Sequence, residues 1–331
     1  MPTRSTLVRD RLESLRNTVL ESKSPRTCCI KHPANCSIHT DNAIPANILA
    51  QHGILLLPHS FQLTDSAEAN LAHDPPILFE FRDASIFDRH PIAPEPGDRV
   101  DKYDPQTLQR IYNHPQSQEG RTTSVARFLT WWAVAGFPRS LRAGVATLGD
   151  LCNIGPVFEP HPLHPGATGF QYVDYLGISW RTFVHETILT RTNKTQYPHL
   201  TLVTALSCIG HDDSITRGEL LALITGMRNR SRRPAESDEE AAMKEDPDAF
   251  SDDESDAPLN EEDLLFKDEC RFPVLMLSFV GPQHGRLTYA CMSGTDLIIR
   301  QSKLYSFIDA QSAPLRLFAC ALLSKPLSCP D

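Results

Sequence analysis

A chain of 331 residues is long enough for one large domain or two modest ones, given about 150 residues per domain. With 40% hydrophobic and 22% charged residues it reads as a packed globule, which excludes a wholly disordered chain. No uncharged apolar run approaches the ~18 residues of a spanning helix, so no membrane partner is expected.

The first residues, MPTRSTLVRDRLESLRNTVLESKSP, alternate Arg with Asp and Glu and lack the apolar core of a secretory leader. The expected setting is the cytoplasm or the nucleus, where the nine Cys are thiols or ligands and not disulfides. Val8, Leu12, Leu15 and Val19 form the stripe of an amphipathic helix within residues 1–24, either docked on the domain or offered to a partner.

Residues 25–44 form a Cys/His loop. Cys29, His32, Cys36 and His39 make two chelating pairs of the ligand types zinc prefers. Only three residues separate the pairs and Pro33 restricts the loop, so a thiol cluster and incidental loop residues stand beside zinc as readings.

Further along, ILLLPHSFQL and PPILFEF read as strands, and residues 122–135 as a helix with Val125, Phe128, Leu129 and Trp132 facing the core. The Pro-rich loop FEPHPLHPG offers Glu159, His161 and His164 as a second divalent-metal set. The strand FQYVDYLGI follows, and residues 180–192 and 214–230 are predicted helices. In the second helix Thr216 and Glu219 have capping-box spacing. His185-Glu186 and His211-Asp212-Asp213 carry the residue types of metal phosphohydrolases, without the rest of that pattern.

Residues 235–269 hold 16 Asp and Glu against two Lys, a net of about −14, whereas the whole chain carries −9. The remainder is therefore mildly basic, and residues 231–269 read as an acidic disordered insert. Just before it, RNRSRR has the composition of an import signal or of a helix end with favourable dipole charges. Ser237 and Ser251 each precede Glu by three residues, which suits an acidophilic kinase. A protein partner is expected through the N-terminal helix or the insert.

After residue 272 three strands, FPVLMLSFV, RLTYACM and LIIRQSKLYSF, are joined by GPQHG and SGTD, and a helix over 313–324 closes the chain. The fold class expected is α+β, with helices packed on an antiparallel sheet that ends in a three-stranded meander. Residues 45–230 and 270–325 would form the single domain. Glu219, Asp296, Gln301 and Lys303 follow the chain order of a restriction-endonuclease-like catalytic set that binds Mg²⁺ and activates water, with Asp296 its weakest member. No phosphate-cradling loop, dinucleotide fingerprint or nucleophile elbow occurs.

The stretches NIGPVFEPHPLHPGATGFQYVDYLGIS, SITRGELLALITGM and FPVLMLSFVGPQHGRLTYACMSGTDLIIRQSKLYSF resemble an uncharacterised protein family of filamentous fungi. The shared pattern is a G-P-x-H-G turn and an I-R-x-S-K-L-Y strand. The resemblance implies a fungal origin and a shared domain fold, and carries over no catalytic residue. His284, Arg286 and Arg300, with Lys303, are the surface that pattern marks. Intracellular binding or accessory work, in specialised metabolism for example, is the expected function; a metal-dependent nuclease or hydrolase, whole or degenerate, and a nucleic-acid-binding regulator are the alternatives.

Overall fold

The computed structural model describes residues 2–21, 42–90, 100, 102–104, 106, 117–134, 147–158, 161, 163, 169–173, 179–189, 194–195, 197–235 and 260–328. Helix α1 (Arg4–Glu21) leads into β1 (Ala43–Pro45), α2 (Ala46–Gln51), β2 (Ile54–Pro58), α3 (Ala67–Leu71), β3 (Phe79–Glu80) and α4 (Ser85–Arg89). Helices α5 (Gln118–Ala133) and α6 (Leu148–Cys152) precede β4 (Ile154–Val157), β5 (Gln171–Val173), β6 (Ser179–Leu189), β7 (Lys194–Thr195), β8 (Leu200–Ile209) and β9 (Ser214–Thr216). Then come α7 (Arg217–Ser231), β10 (Val274–Gly281), β11 (His284–Ser293), β12 (Asp296–Gln301), β13 (Tyr305–Ser306), α8 (Leu315–Leu322) and β14 (Lys325–Pro326).

The class is α+β, built on a ten-stranded sheet whose main path runs β2-β12-β11-β10-β8-β6-β4. The expected meander is there: β10, β11 and β12 pair antiparallel in sequence order. The sheet as a whole is mixed and not antiparallel throughout, because β10 lies parallel to β8 and β12 parallel to β2. Parallel neighbours need a crossover, and α7 supplies it between β8 and β10.

Helices cover both faces of this sheet. Leu202, Leu206, Met276 and Val280 join the core beneath α1 and α7, whereas Val203, Ala205, Leu275 and Leu277 join the core that includes α5 and α8. Burial on both faces explains why LTLVTAL and VLMLSFV are almost continuous apolar runs. Two-sided burial also hides period-two alternation, and here the sequence expectation of a helix over 180–192 fails. Residues 180–189 belong to β6, with Trp180, Thr182 and Val184 buried on the α7 face and His185 on the other.

Val8, Leu12, Leu15 and Val19 are all buried in the α7-side core, so the stripe of α1 is docked on its own domain and is not free for a partner. The edges of the acidic stretch also belong to the fold. Pro234 bridges Leu264, Ala235 N–H donates to the Asp263 carbonyl at 2.7 Å, and Leu265 N–H donates to Arg233 at 2.9 Å. The expected insert over 231–269 therefore narrows to a stretch within 236–259, which lies outside the described residues.

Candidate functional site

Thr216 caps α7 as its spacing predicts, accepting the Glu219 N–H at 3.2 Å while its own N–H and Oγ1 donate to Glu219 Oε2 at 2.8 and 2.7 Å. The same carboxylate reaches further. Oε1 accepts Ser278 Oγ at 2.5 Å and Arg286 Nε at 2.8 Å, and Oε2 also accepts Arg286 Nη2. Arg286 spends Nη1 on the carbonyls of His211 and Ser214, at 2.8 and 2.9 Å.

Register places this pair at the end of a polar row across the sheet. Thr182 faces Thr204, Thr204 faces Ser278 and Ser278 faces Arg286, and the two threonine hydroxyls lie 3.1 Å apart. Glu219 and Arg286 are both fully buried. Burial alone would push the Glu219 carboxyl up, but the guanidinium and the hydroxyl donors outweigh it and hold it below its ordinary value. Nearby, burial and the Glu219 charge push the Cys208 thiol up to about 12, which makes it a poor nucleophile.

A second buried centre lies at the other end of α7. Glu186 Oε2 accepts Arg230 Nη1 at 2.8 Å and Arg233 Nη1 at 2.9 Å, while His161 Nε2 stands 3.9 Å from Oε1. Arg230 also donates to the carbonyls of Tyr197 and His199, and its guanidinium lies over the Phe266 ring. Glu13 on α1 pairs with Arg228 at 2.8 Å and Arg232 at 3.1 Å. Each of these four arginines of RNRSRR is thus bound to a carboxylate, and Arg230 and Arg233 are buried. Exposed import signals need free cations, so the helix-end reading is the one that fits.

The nuclease set does not assemble. Gln301 approaches the first centre, with Nε2 donating to the Ser214 carbonyl at 3.1 Å. Asp296 begins the same strand five residues earlier, roughly 16 Å away, in an exposed position. Lys303 is exposed beyond the strand end. Glu219 already accepts five donors, which leaves it no lone pair for a cation.

The marked surface divides as well. Arg286 is interior, and Arg300 turns to the opposite face to donate to the Asp74 and Pro75 carbonyls at 2.8 and 3.3 Å. His284 is half-buried, and burial lowers its pKa against the opposing charge of Asp212. Asp212 accepts the Leu304 N–H at 2.7 Å, and in the other phosphohydrolase-like pair His185 is sealed in the core beside the caged Glu186.

Cys29, His32, Cys36, His39, Glu159, His164, Ser237 and Ser251 lie outside the described residues. Of the two sets of metal candidates, His161 alone is described, and its Nδ1 accepts the Leu163 N–H at 3.1 Å. Among the described residues no helix is long and apolar enough to cross a membrane.

Sequence reasoning took Arg286 for a surface residue and missed Ser278 as its neighbour. A hint was present, since an Arg in a strand of apolar residues demands a buried partner. It also passed over a cleft of about 390 Å³ between residues 63–66, β3, α4 and β14, whose lining includes Phe81, Ile86, Asp65, Asp83, Arg89 and Lys325. Compared with family models, curated proteins and solved structures, the chain matches none.

Proposed function

We propose that this chain is an intracellular fungal binding or accessory protein, working through charge on its acidic excursion and not through catalysis at Glu219. The observation that carries this is the enclosure of Glu219, fully buried and saturated by Thr216, Ser278 and Arg286. A catalytic carboxylate must release at least one lone pair to a metal or a proton; this one is committed to the fold.

What supports the acidic excursion as the working part is its anchoring. Residues 236–259 carry 11 Asp and Glu against one Lys, and the backbone bonds of Ala235 and Leu265 pin both ends at one point of the surface. A segment of that charge recruits a basic partner through long-range attraction that salt weakens. Phosphorylation at Ser237 and Ser251 would strengthen it. Nucleic acid fits less well, because the RNRSRR guanidiniums are turned inward onto Glu13 and Glu186.

The test is a fluorescence-anisotropy titration of a lysine-rich peptide with the full chain and with a chain whose residues 236–259 are replaced by Gly and Ser. Salt-dependent binding by the first and at least tenfold weaker binding by the second is expected. Equal binding by both would refute the proposal.

A further inference from the structure

Along the seam between α1 and α7 the charges do not balance. The two helices run antiparallel, with Arg9 Nε donating to the Ser231 carbonyl at 2.9 Å at one end and Arg217 Nε donating to the Val19 carbonyl at 3.2 Å at the other. Glu13 and Arg16 are three residues apart on α1, and Arg228 and Arg232 are four apart at the end of α7, so each pair shares a helix face.

The three arginines gather around the one carboxylate. Arg228 Nε and Arg232 Nη2 reach the same Glu13 oxygen, Oε2, at 2.8 and 3.1 Å. Burial and the like charge of Arg228 lower the Arg16 pKa, with Glu13 opposing and Arg232 adding to the repulsion. Burial would raise the Glu13 carboxyl, but Arg228, Arg232 and Arg16 hold it below its ordinary value. Three guanidiniums against one carboxylate leave a local charge of +2. Arg9, next along the seam, is buried and bonded to the carbonyls of Ser231, Phe266 and Lys267; Glu261 and Asp268 attract it and act on neither Arg16 nor Glu13.

The dipole of α7 accounts for cations in its last turn, but not for Arg16 on the facing helix. Like charges at i, i+4 destabilise a helix, and a local rule broken in this way is characteristic of functional sites. The seam is open to solvent: the Arg228 and Arg232 side chains are 20% and 35% exposed, and Arg16 is half-buried.

We propose that Arg16, Arg228 and Arg232 form a binding site for a compact phosphate-bearing anion. Guanidinium forks match phosphate oxygens in pairs, and a dianion cancels the excess charge and relieves the repulsion among the three cations. One centre of this size suits a single phosphate group and not the repeating charge of a nucleic acid. The site stands apart from the acidic stretch, whose partner is basic.

The experiment is a calorimetric titration with inorganic pyrophosphate, run on the full chain and on the chain whose residues 236–259 are replaced by Gly and Ser, because acidic residues begin four positions past Arg232 and compete for the same cations. One pyrophosphate per chain is expected, weakened at least tenfold by Arg16→Gln and by Arg232→Gln. Pyrophosphate should raise the melting temperature of the unaltered chain, whereas sodium chloride at equal ionic strength should not. Melting curves without anion show which variants stay folded; should Arg16→Gln unfold, Arg232→Gln at the helix end carries the test. A phosphoserine peptide titrated in place of pyrophosphate separates the sources: tighter binding of the peptide assigns the phosphate to a protein side chain, and weaker binding assigns it to a free anion. No pyrophosphate binding to either chain, binding unchanged in the folded variants, or an equal melting shift in sodium chloride would overturn the proposal.

Discussion

Replacing Arg286 by Met tests whether the first centre is a folding element. The methionine fills similar volume but leaves the fully buried Glu219 carboxylate with Ser278 and Thr216 as its only donors. Breaking a buried ion pair by removing one partner costs about 3–5 kcal/mol. The carbonyls of His211 and Ser214 also lose their guanidinium donor, at roughly 1 kcal/mol each where water does not replace it. A loss of about 4 kcal/mol or more in urea unfolding is therefore expected.

Adding Glu219→Gln to Arg286→Met removes the stranded charge while keeping a side chain that can serve the capping box. The double variant should recover about 2–3 kcal/mol relative to the sum of the single losses, measured as a double-mutant cycle. If Arg286→Met costs under about 1 kcal/mol, or the coupling is near zero, then Glu219 is not committed to the fold and the reasoning fails.

Three other outcomes follow from the packing. Burial pushes His185 down to about 4 and His199 down to about 3. Unfolding restores the ordinary value near 6.5, so the unfolded state takes up protons that the folded state refuses as pH drops below 6.5. Stability should fall by up to about 1.4 kcal/mol per pH unit for each histidine between pH 6.5 and 5, read from urea midpoints; a flat profile would show that the two rings are not sealed. Leu12→Ala should cost about 2–5 kcal/mol, since Leu12 is fully buried where α1 docks, and a loss below 1 kcal/mol would mean that the helix detaches freely. Gly169→Ala should cost about 1–3 kcal/mol in thermal unfolding, because the new Cβ would stand 1.9 Å from Thr225 Oγ1 and Thr225 is itself buried; an unchanged melting temperature would contradict that packing.

Local chemistry was legible in the sequence wherever one element decided it. Thr216 and Glu219 announced the start of α7, the stripe from Val8 to Val19 announced α1, and Gly-containing turns delimited the meander. What escaped depended on partners far along the chain. Strand β8 reads LTLVTALSCI, an apolar run whose identity is set by β6 and β10 on its two sides, and it went unread. Glu219 looked like a catalytic candidate because its partner Arg286 lies 67 residues away, and Arg230 looked like an import signal because Glu186 is 44 residues away.

The central claim, that Glu219 serves the fold and not a reaction, is tested most directly by incubating DNA and RNA with the full chain in Mg²⁺ or Mn²⁺ and following cleavage. Asp296→Asn and Lys303→Ala, both at exposed positions, are run beside the unaltered chain and Glu219→Gln. No cleavage that depends on these residues is predicted. Metal-dependent cleavage by the unaltered chain that disappears in Asp296→Asn or Lys303→Ala, with circular dichroism unchanged, would contradict the account.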